Sequence, residues 1–239
     1  MINNTNNHNY NPSPKAPIKW SIILAVIIII VIISVIYFLQ NSFQNDKAAP
    51  INIIRNLPSN DPKRQLAEKR DRPHFGNENA KLVIVEFSDF QCPVCQAEFP
   101  IIREIINKYQ DQVFFIYRQY PIINETSPIV SQASLCAFDQ DKFWPMHDRL
   151  FLNANDNFNI TELNLIAKQS GLDANEFTNC LTTEKFKDMV NTDFQDGYAL
   201  EVPGTPTFFI NGDKLSGEIS KENWEIIINQ SLELLDSTK

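Results

Sequence analysis

The order of predicted strands and helices indicates an α/β fold with an all-helical insertion. An apolar run at residues 82–87 precedes a helical pattern over residues 92–109 and a second apolar run at residues 113–118, which is the order of a β-α-β unit. Five helical stretches follow before the chain returns to two short strands and a last helix. A block of helices between strands of one sheet is an insertion into the α/β fold.

Each element is predicted from its own residue pattern. The first two strands, at residues 81–88 and 113–118, are short apolar runs rich in β-branched and aromatic residues. Helical spacing of apolar residues predicts the helices of the insertion at residues 128–138, 142–153, 161–170, 174–181 and 184–200. The last two strands, at residues 207–211 and 214–216, flank a hairpin turn at Asn211 and Gly212, and a final helix covers residues 221–235.

The segments before the first strand carry no such pattern. Residues 1–19 contain six Asn and are predicted to form a disordered cytoplasmic tail. Residues 40–76 are charged and interrupted by prolines, so we predict a linker with one or two helical turns near residues 63–70. The folded domain is then predicted at residues 77–237, with its helical insertion at about residues 125–200.

Residues 20–39 are nearly all aliphatic, carry no charge and have the length of a membrane-spanning helix. We predict a single transmembrane anchor, because a buried soluble helix would show a polar face. A cleaved signal peptide is the other alternative, but no small-x-small cleavage site follows the run. Lys15 and Lys19 precede the run, so the N-terminus is predicted to be cytoplasmic and the domain periplasmic or otherwise extracytoplasmic, attached to the inner (cytoplasmic) membrane.

The charge distribution excludes one class of partner. All 29 acidic residues follow residue 40, whereas two of the 21 basic residues precede it. The predicted domain is therefore strongly acidic and repels polyanions. We predict no nucleic-acid partner, and contact with the membrane only through the N-terminal helix.

A Cys-Pro-Val-Cys sequence lies between the first strand and its helix. A thiolate at a helix start faces unpaired N–H groups and the positive end of the helix dipole, and both lower its pKa. Cys92 and Cys95, three positions apart, can close a disulfide across one helical turn. Zinc sites and chance also produce this spacing, so the surrounding strand and helix are what favour a redox dithiol.

Three separated segments resemble the DsbA-like thiol-disulfide oxidoreductases. These are FSDFQCPVC at residues 87–95, KFWPMHDRLF at residues 142–151 and VPGTPTFFI at residues 202–210. The resemblance implies a thioredoxin-like fold with an inserted all-helical subdomain. The 110 residues between Cys95 and Pro206 match the longer interval of the DsbA-like branch.

The resemblance also implies residue roles. Cys92 is expected to be the attacking thiolate and Cys95 the resolving thiol, and Pro206 is expected to form a cis peptide bond beside them. Thr205 would present its backbone to a substrate strand, and Pro93 and Val94 would lie in the same substrate-binding surface. Strong oxidants of the family commonly have His at the position of Val94, so the reduction potential is open.

Other candidate residues follow from position. Glu86 lies on a strand six residues before Cys92. If both faces of that sheet are covered, its carboxyl is buried with a raised pKa and could relay a proton to or from Cys95. The alternative is an exposed acid at the strand end. Trp144 and His147 are predicted to pack rather than to catalyse. Cys136 and Cys180 are predicted to form a structural disulfide, with two buried thiols as the alternative.

The sequence therefore predicts a membrane-anchored protein-disulfide oxidoreductase that needs no cofactor or metal. The preferred function is a monomeric dithiol oxidase acting on cysteine-containing secreted or envelope proteins, with a quinone-linked membrane thiol oxidase as its reoxidant. A tethered reductase or isomerase of the same fold is the first alternative. A zinc-binding module is the second, disfavoured because the chain has no second C-x-x-C.

Overall fold

The computed structural model describes Trp20 and residues 27–37, 55–153 and 158–237. The chain divides into two compact units, Met1–Pro50 and Ile51–Lys239. In the first unit, residues 27–37 are helical and exposed. No helix within the described residues is both long enough and apolar enough to cross a membrane. The span predicted at residues 20–39 lies partly outside the described residues, and the predicted tail lies wholly outside them.

The second unit is built on one five-stranded sheet. Its strands are β1 (His74–Gly76), β2 (Leu82–Ser88), β3 (Val113–Gln119), β4 (Thr207–Ile210) and β5 (Asp213–Ser216). The spatial order is β1-β3-β2-β4-β5, in which only the β2–β3 pair is parallel. Asn211 and Gly212 both have positive φ in the β4–β5 hairpin, as a two-residue turn of this kind requires.

Eight helices of this unit are described. They are α1 (Pro62–Ala67), α2 (Pro93–Lys108), α3 (Ser127–Phe138), α4 (Phe143–Leu152), α5 (Ile160–Gln169), α6 (Ala174–Thr182), α7 (Lys187–Ala199) and α8 (Lys221–Ser237). The five helices α3 to α7 lie between β3 and β4 in the chain and form the predicted helical insertion. Alternate residues of β2 belong to two separate hydrophobic cores. Leu82 and Ile84 pack with α2 and α8, whereas Val83 and Val85 pack with α1 and the end of α7.

The N-terminal side of the sheet differs from the sequence prediction. Residues 55–76, which we assigned to a linker, contain α1 where one or two helical turns were predicted, and also the edge strand β1, which was not predicted, so the sheet begins before Asn77. His74 pairs with Ile116 and Gly76 with Phe114 across the antiparallel β1–β3 ladder. A three-residue strand is too short to show a period, and it becomes a strand only through this pairing.

Two sets of contacts hold the insertion together and attach it to the sheet. Cys136 of α3 and Cys180 of α6 form a disulfide that closes a 44-residue separation. Such a closed loop contributes about 3 to 4 kcal/mol in the chain-entropy description of disulfides. On α7, Gly197 lies so close to the Tyr120 ring that an added Cβ would stand 2.6 Å from it, so a glycine permits the close packing of this helix.

A buried ion-pair network fixes α7 to β3. The Asp193 carboxylate accepts hydrogen bonds from Arg72 at 2.7 Å, from Arg118 at 2.9 Å and from the Gln119 backbone N–H at 3.0 Å. Arg118 also donates to the carbonyls of Leu66 and Ala67 at the end of α1. One carboxylate therefore connects the insertion, the central sheet and the segment that precedes the first strand.

Candidate active site

The two cysteines of the Cys-Pro-Val-Cys sequence lie at the start of α2, as predicted. Cys92 is the N-cap residue, with extended backbone angles, and Pro93 is the first residue of the helix, where its missing N–H leaves no hydrogen bond unmade. The Cys92 sulfur accepts a hydrogen bond from the Cys95 backbone N–H at 3.5 Å. Both cysteines are free thiols and both are buried.

The environment separates the two thiols chemically. The pKa of Cys92 is lowered to about 6, mainly by a hydrogen bond from the Cys95 thiol to the Cys92 sulfur, and burial opposes this shift. The Thr205 side chain and the N–H groups of Cys95 and Val94 lower the pKa further. Burial raises the pKa of Cys95, and the neighbouring Cys92 and Glu86 add to that effect. At neutral pH Cys92 is therefore a thiolate and Cys95 a thiol.

The loop before β4 lies against the Cys92 sulfur. The Thr205–Pro206 peptide bond is cis. The Cys92 sulfur lies 3.2 Å from the Thr205 carbonyl, to which it donates when it is protonated, and this contact brings the loop, predicted from the resemblance, to the dithiol. Val94 is 40% exposed, so the helix start presents an apolar side chain to solvent beside the dithiol.

Glu86 is buried, as the proton-relay hypothesis requires. It is 2% exposed on the central strand β2, opposite Tyr117 on β3 and Phe208 on β4. Burial raises the pKa of Glu86 to about 8, and the nearby Glu98 and Cys92 contribute to the rise. Its Oε2 atom has no hydrogen-bond partner among the described residues. The Glu86 carboxyl is therefore mostly protonated at neutral pH, and in its ionised form it raises the pKa of the Cys95 thiol by charge repulsion.

Two further acids position the site and were missed in the sequence analysis. Asp89 accepts hydrogen bonds from the N–H groups of Gln91, Ile122 and Ile123, and so joins the turn before Cys92 to the loop after β3. Glu98 is fully buried on α2 and accepts from the Trp224 indole at 2.6 Å and the Ile219 N–H at 2.9 Å. The sequence signal for the burial of Glu98 is its spacing. It lies three residues after Cys95 and four before Ile102, which puts it on the buried face of the helix.

His147 and Trp144 pack as predicted. His147 is 1% exposed, and its ring stands edge-on to Phe90, Tyr117 and Phe151 with centroids 5.0 to 5.7 Å apart. Burial lowers its pKa, so the ring is neutral at pH 7. Within the described ranges no three His, Cys, Asp or Glu side chains are grouped so that they could hold a metal ion.

Comparison with known proteins gives the family. A family model described as thioredoxin matches residues 68–230. A probable disulfide bond formation protein D of Bacillus anthracis is 30% identical over 168 residues, which cover 62% of this chain and 76% of that protein. The chain belongs to the DsbA-like thiol-disulfide oxidoreductases.

Other similarities extend the comparison. The thiol-disulfide exchange protein alpha-DsbA2 of Wolbachia pipientis has the same fold, with a TM-score of 0.64 at 23% identity over 70% of this chain and 90% of that one. The Na(+)/H(+) antiporter NhaA 3 of Salinispora tropica is 31% identical over 155 residues, 64% of this chain. The chain spans about a quarter of the length of this antiporter and of the related antiporters it matches.

Proposed function

We propose that this protein is a dithiol oxidase that transfers the Cys92–Cys95 disulfide to cysteine-containing secreted or envelope proteins. The observation that carries this proposal is the opposite shift of the two thiols, with the pKa of Cys92 lowered to about 6 and that of Cys95 raised. A disulfide is oxidising when its reduced form is stabilised, and a stable thiolate at Cys92 provides that stabilisation.

The reaction follows from this arrangement. A substrate thiolate attacks the Cys92 sulfur of the disulfide, forming a mixed disulfide and releasing Cys95 as a thiolate. Because the pKa of Cys95 is raised, this thiolate takes up a proton, and the neighbouring Glu86 carboxylic acid is placed to supply it. A second substrate thiolate then attacks the substrate sulfur of the mixed disulfide. The substrate gains a disulfide, and the enzyme leaves with both cysteines reduced, Cys92 as the thiolate.

The substrate surface is formed by the cis-proline loop and the helix start. Thr205, just before Pro206, lies beside the Cys92 sulfur, where an extended substrate strand can pair with its backbone. Pro93 and the exposed Val94 add an apolar surface next to it. Specificity then rests on backbone pairing and apolar contact, which suits unfolded substrates of varied sequence.

A tethered reductase or isomerase of the same fold is the alternative, favoured by one observation. Val94 supplies neither a charge nor a hydrogen-bond donor to the Cys92 sulfur, so the thiolate is less stabilised than in family members with His there.

Single cysteine variants test the proposed roles. Cys92→Ser abolishes oxidation of a reduced, unfolded substrate. Cys95→Ser, given a disulfide-bonded substrate, accumulates mixed disulfides, because its Cys92 thiolate attacks the substrate disulfide and no resolving thiol releases the product. Non-reducing electrophoresis and mass spectrometry of the adducts provide the readout. The matched control is the double variant Cys136→Ala/Cys180→Ala, which removes two cysteines outside the site and keeps activity. Mixed disulfides formed through Cys95 in the Cys92→Ser variant would reverse the assignment.

The location of the protein is part of the same proposal. We place residues 20–39 in the cytoplasmic membrane as an uncleaved anchor, with the catalytic domain on the extracytoplasmic side and a quinone-linked membrane thiol oxidase as reoxidant. Lys15 and Lys19 before an uncharged apolar run support this orientation. A reporter that works only outside the cytoplasm is expected to be active when it is fused after Lys239. The mature protein is expected to keep its N-terminus. A mature chain beginning near Ala49 would replace the anchor with a signal peptide.

A further inference from the structure

A cavity lies at the edge of the sheet, away from the dithiol. Its volume is about 320 Å³, and it is lined by four aromatic rings and one carboxylate: His74, Phe138, Asp141, Phe143 and Trp144. His74 comes from β1, Phe138 ends α3, and Phe143 and Trp144 begin α4. The volume is at the lower end of the range for small-ligand sites, so it suits a small group.

The four rings form the walls of a box. Phe143 stands at 86° to Trp144 and at 88° to Phe138, with centroids 5.1 and 6.4 Å apart. Phe138 in turn stands at 75° to His74 at 6.5 Å. The Trp144 indole N–H donates to the His74 backbone carbonyl at 2.8 Å, which links the first and last of the four residues. Neighbouring walls are thus close to perpendicular, the arrangement in which several rings can meet one ligand.

One carboxylate stands at the rim of the box. Asp141 is exposed and, of the described residues, is the one lining residue with a carboxylate. No hydrogen bond or ion pair to another described residue occupies that carboxylate. The C-terminal end of α3 and the N-terminal end of α4 meet here, so their dipoles oppose each other. Arg103 lies 4.7 Å from the centroid of the Trp144 ring and is itself paired with Asp148 at 3.1 Å, which offsets its charge. Trp144 therefore already accepts one cation.

We propose that this cavity binds a methylated ammonium group, such as the trimethylammonium group of choline. Aromatic faces attract cations through their quadrupoles, and a quaternary ammonium is weakly hydrated and enters an aromatic box readily. Asp141 adds a full negative charge at the rim, so the site favours such a cation over a neutral group of the same shape. This binding activity is separate from dithiol chemistry, since no lining residue belongs to the dithiol or to the cis-proline loop.

The test uses the full-length protein and a matched pair of probes. Choline and its neutral isostere 3,3-dimethylbutan-1-ol are titrated separately, and binding is followed by calorimetry and by the change in Trp144 fluorescence. A Trp144→Phe variant gives the fluorescence background of Trp20 and Trp224. Choline is expected to bind at least about fivefold more tightly than the isostere, the ratio that one cation–aromatic interaction provides.

A pair of isosteric variants tests the carboxylate. Asp141 has a φ of 56°, and Asn tolerates that conformation as well as Asp does, so Asp141→Asn removes the charge without backbone strain. It is expected to weaken choline binding about fivefold. The control is Asp139→Asn, two residues away, whose carboxylate pairs with Lys185 outside the cavity. Loss of binding in the control alone would overturn the assignment.

The remaining outcomes are equally decisive. Equal binding of choline and the isostere would show an apolar cavity and overturn the proposal, as would the absence of saturable binding by choline. Phosphatidylcholine vesicles, compared with phosphatidylglycerol vesicles, distinguish the source of the group. If only the phosphatidylcholine vesicles reproduce the Trp144 signal, the ligand is a lipid headgroup; if neither does while choline binds, it is a soluble ammonium compound.

Discussion

Three titratable side chains at the dithiol have shifted pKa values. The pKa of Cys92 is lowered to about 6, that of Cys95 is raised, and that of Glu86 is raised to about 8. The first shift comes from hydrogen bonds to the sulfur at a helix start, and the other two come mainly from burial on the central strand and the first helical turn. At neutral pH the site therefore holds a thiolate nucleophile, a thiol and a neutral acid.

Glu86→Gln tests the buried acid. Because the pKa of Glu86 is higher in the folded than in the unfolded state, wild-type stability falls as pH rises from about 4.5 through about 8. Gln does not titrate, so the stability of the variant relative to wild type should increase between pH 5 and pH 8.5. The increase is on the order of 3 to 5 kcal/mol. Urea unfolding of the reduced proteins at the two pH values measures it.

A matched control separates this effect from general charge removal. Glu222 is exposed on α8, and Glu222→Gln should leave the pH dependence of stability unchanged. The same Glu86→Gln variant should slow the protonation of released Cys95, and hence oxidation, without changing how fast Cys92 is alkylated. A stability difference between Glu86→Gln and wild type that stays constant with pH would contradict a raised pKa.

At the scale of elements, α7 is attached to the sheet by charge as much as by apolar contact. Asp193 meets Arg72 and Arg118 in a fully buried network, and α7 leads directly into the loop that carries Pro206. Asp193→Asn removes the buried carboxylate that Arg72 and Arg118 share and leaves them paired with Asp71 and Asp196 alone. Because Asp193 is the fully buried partner, the cost is at most about 3 to 5 kcal/mol, the range for breaking a buried pair. We expect the melting temperature to fall accordingly, whereas Asp188→Asn, exposed on the same helix, should leave it unchanged.

The elements with strong periodic patterns were predictable from sequence, and those made by long-range pairing were not. The helices of the insertion and strands β2 to β5 lie within three residues of their predicted bounds. In contrast, β1 exists only through its ladder with β3, and the Arg118–Asp193 pair joins residues 75 positions apart. No local pattern encodes such a partner.

The site shows the same division. Cys92 and Cys95 were predictable because their spacing and their place at a helix start marked them, and Pro206 because of the family resemblance alone. Glu86 was recognisable from its strand face. Glu98 was missed because an acid on a helix is normally exposed, and its partner Trp224 lies 126 residues away. The aromatic box was missed because it unites an edge strand that was not predicted with two helices of the insertion.

At the scale of the whole molecule, the direction of electron flow depends on the relative stability of the reduced and oxidised proteins. The reduced form contains the Cys92 thiolate, whose pKa of about 6 is below that of the unfolded thiol, near 9. The thiolate therefore stabilises the folded reduced protein increasingly as pH rises from 6 to 9, and the stabilisation is lost as pH falls through 6. The oxidised form has no such dependence. The reduced protein should thus gain stability relative to the oxidised one over this pH range.

This linkage predicts the reduction potential. We expect the Cys92–Cys95 couple to lie between the values of thioredoxin and of the strong oxidant DsbA, about −270 and −120 mV, measured by equilibration in a glutathione series. Val94→His adds a donor beside the thiolate, and one pKa unit of further stabilisation raises the potential by about 30 mV. Val94→Leu, which adds no donor, should leave it unchanged. A wild-type potential at the thioredoxin value would mean that the dithiol reduces its substrates, and the tethered reductase would replace the oxidase.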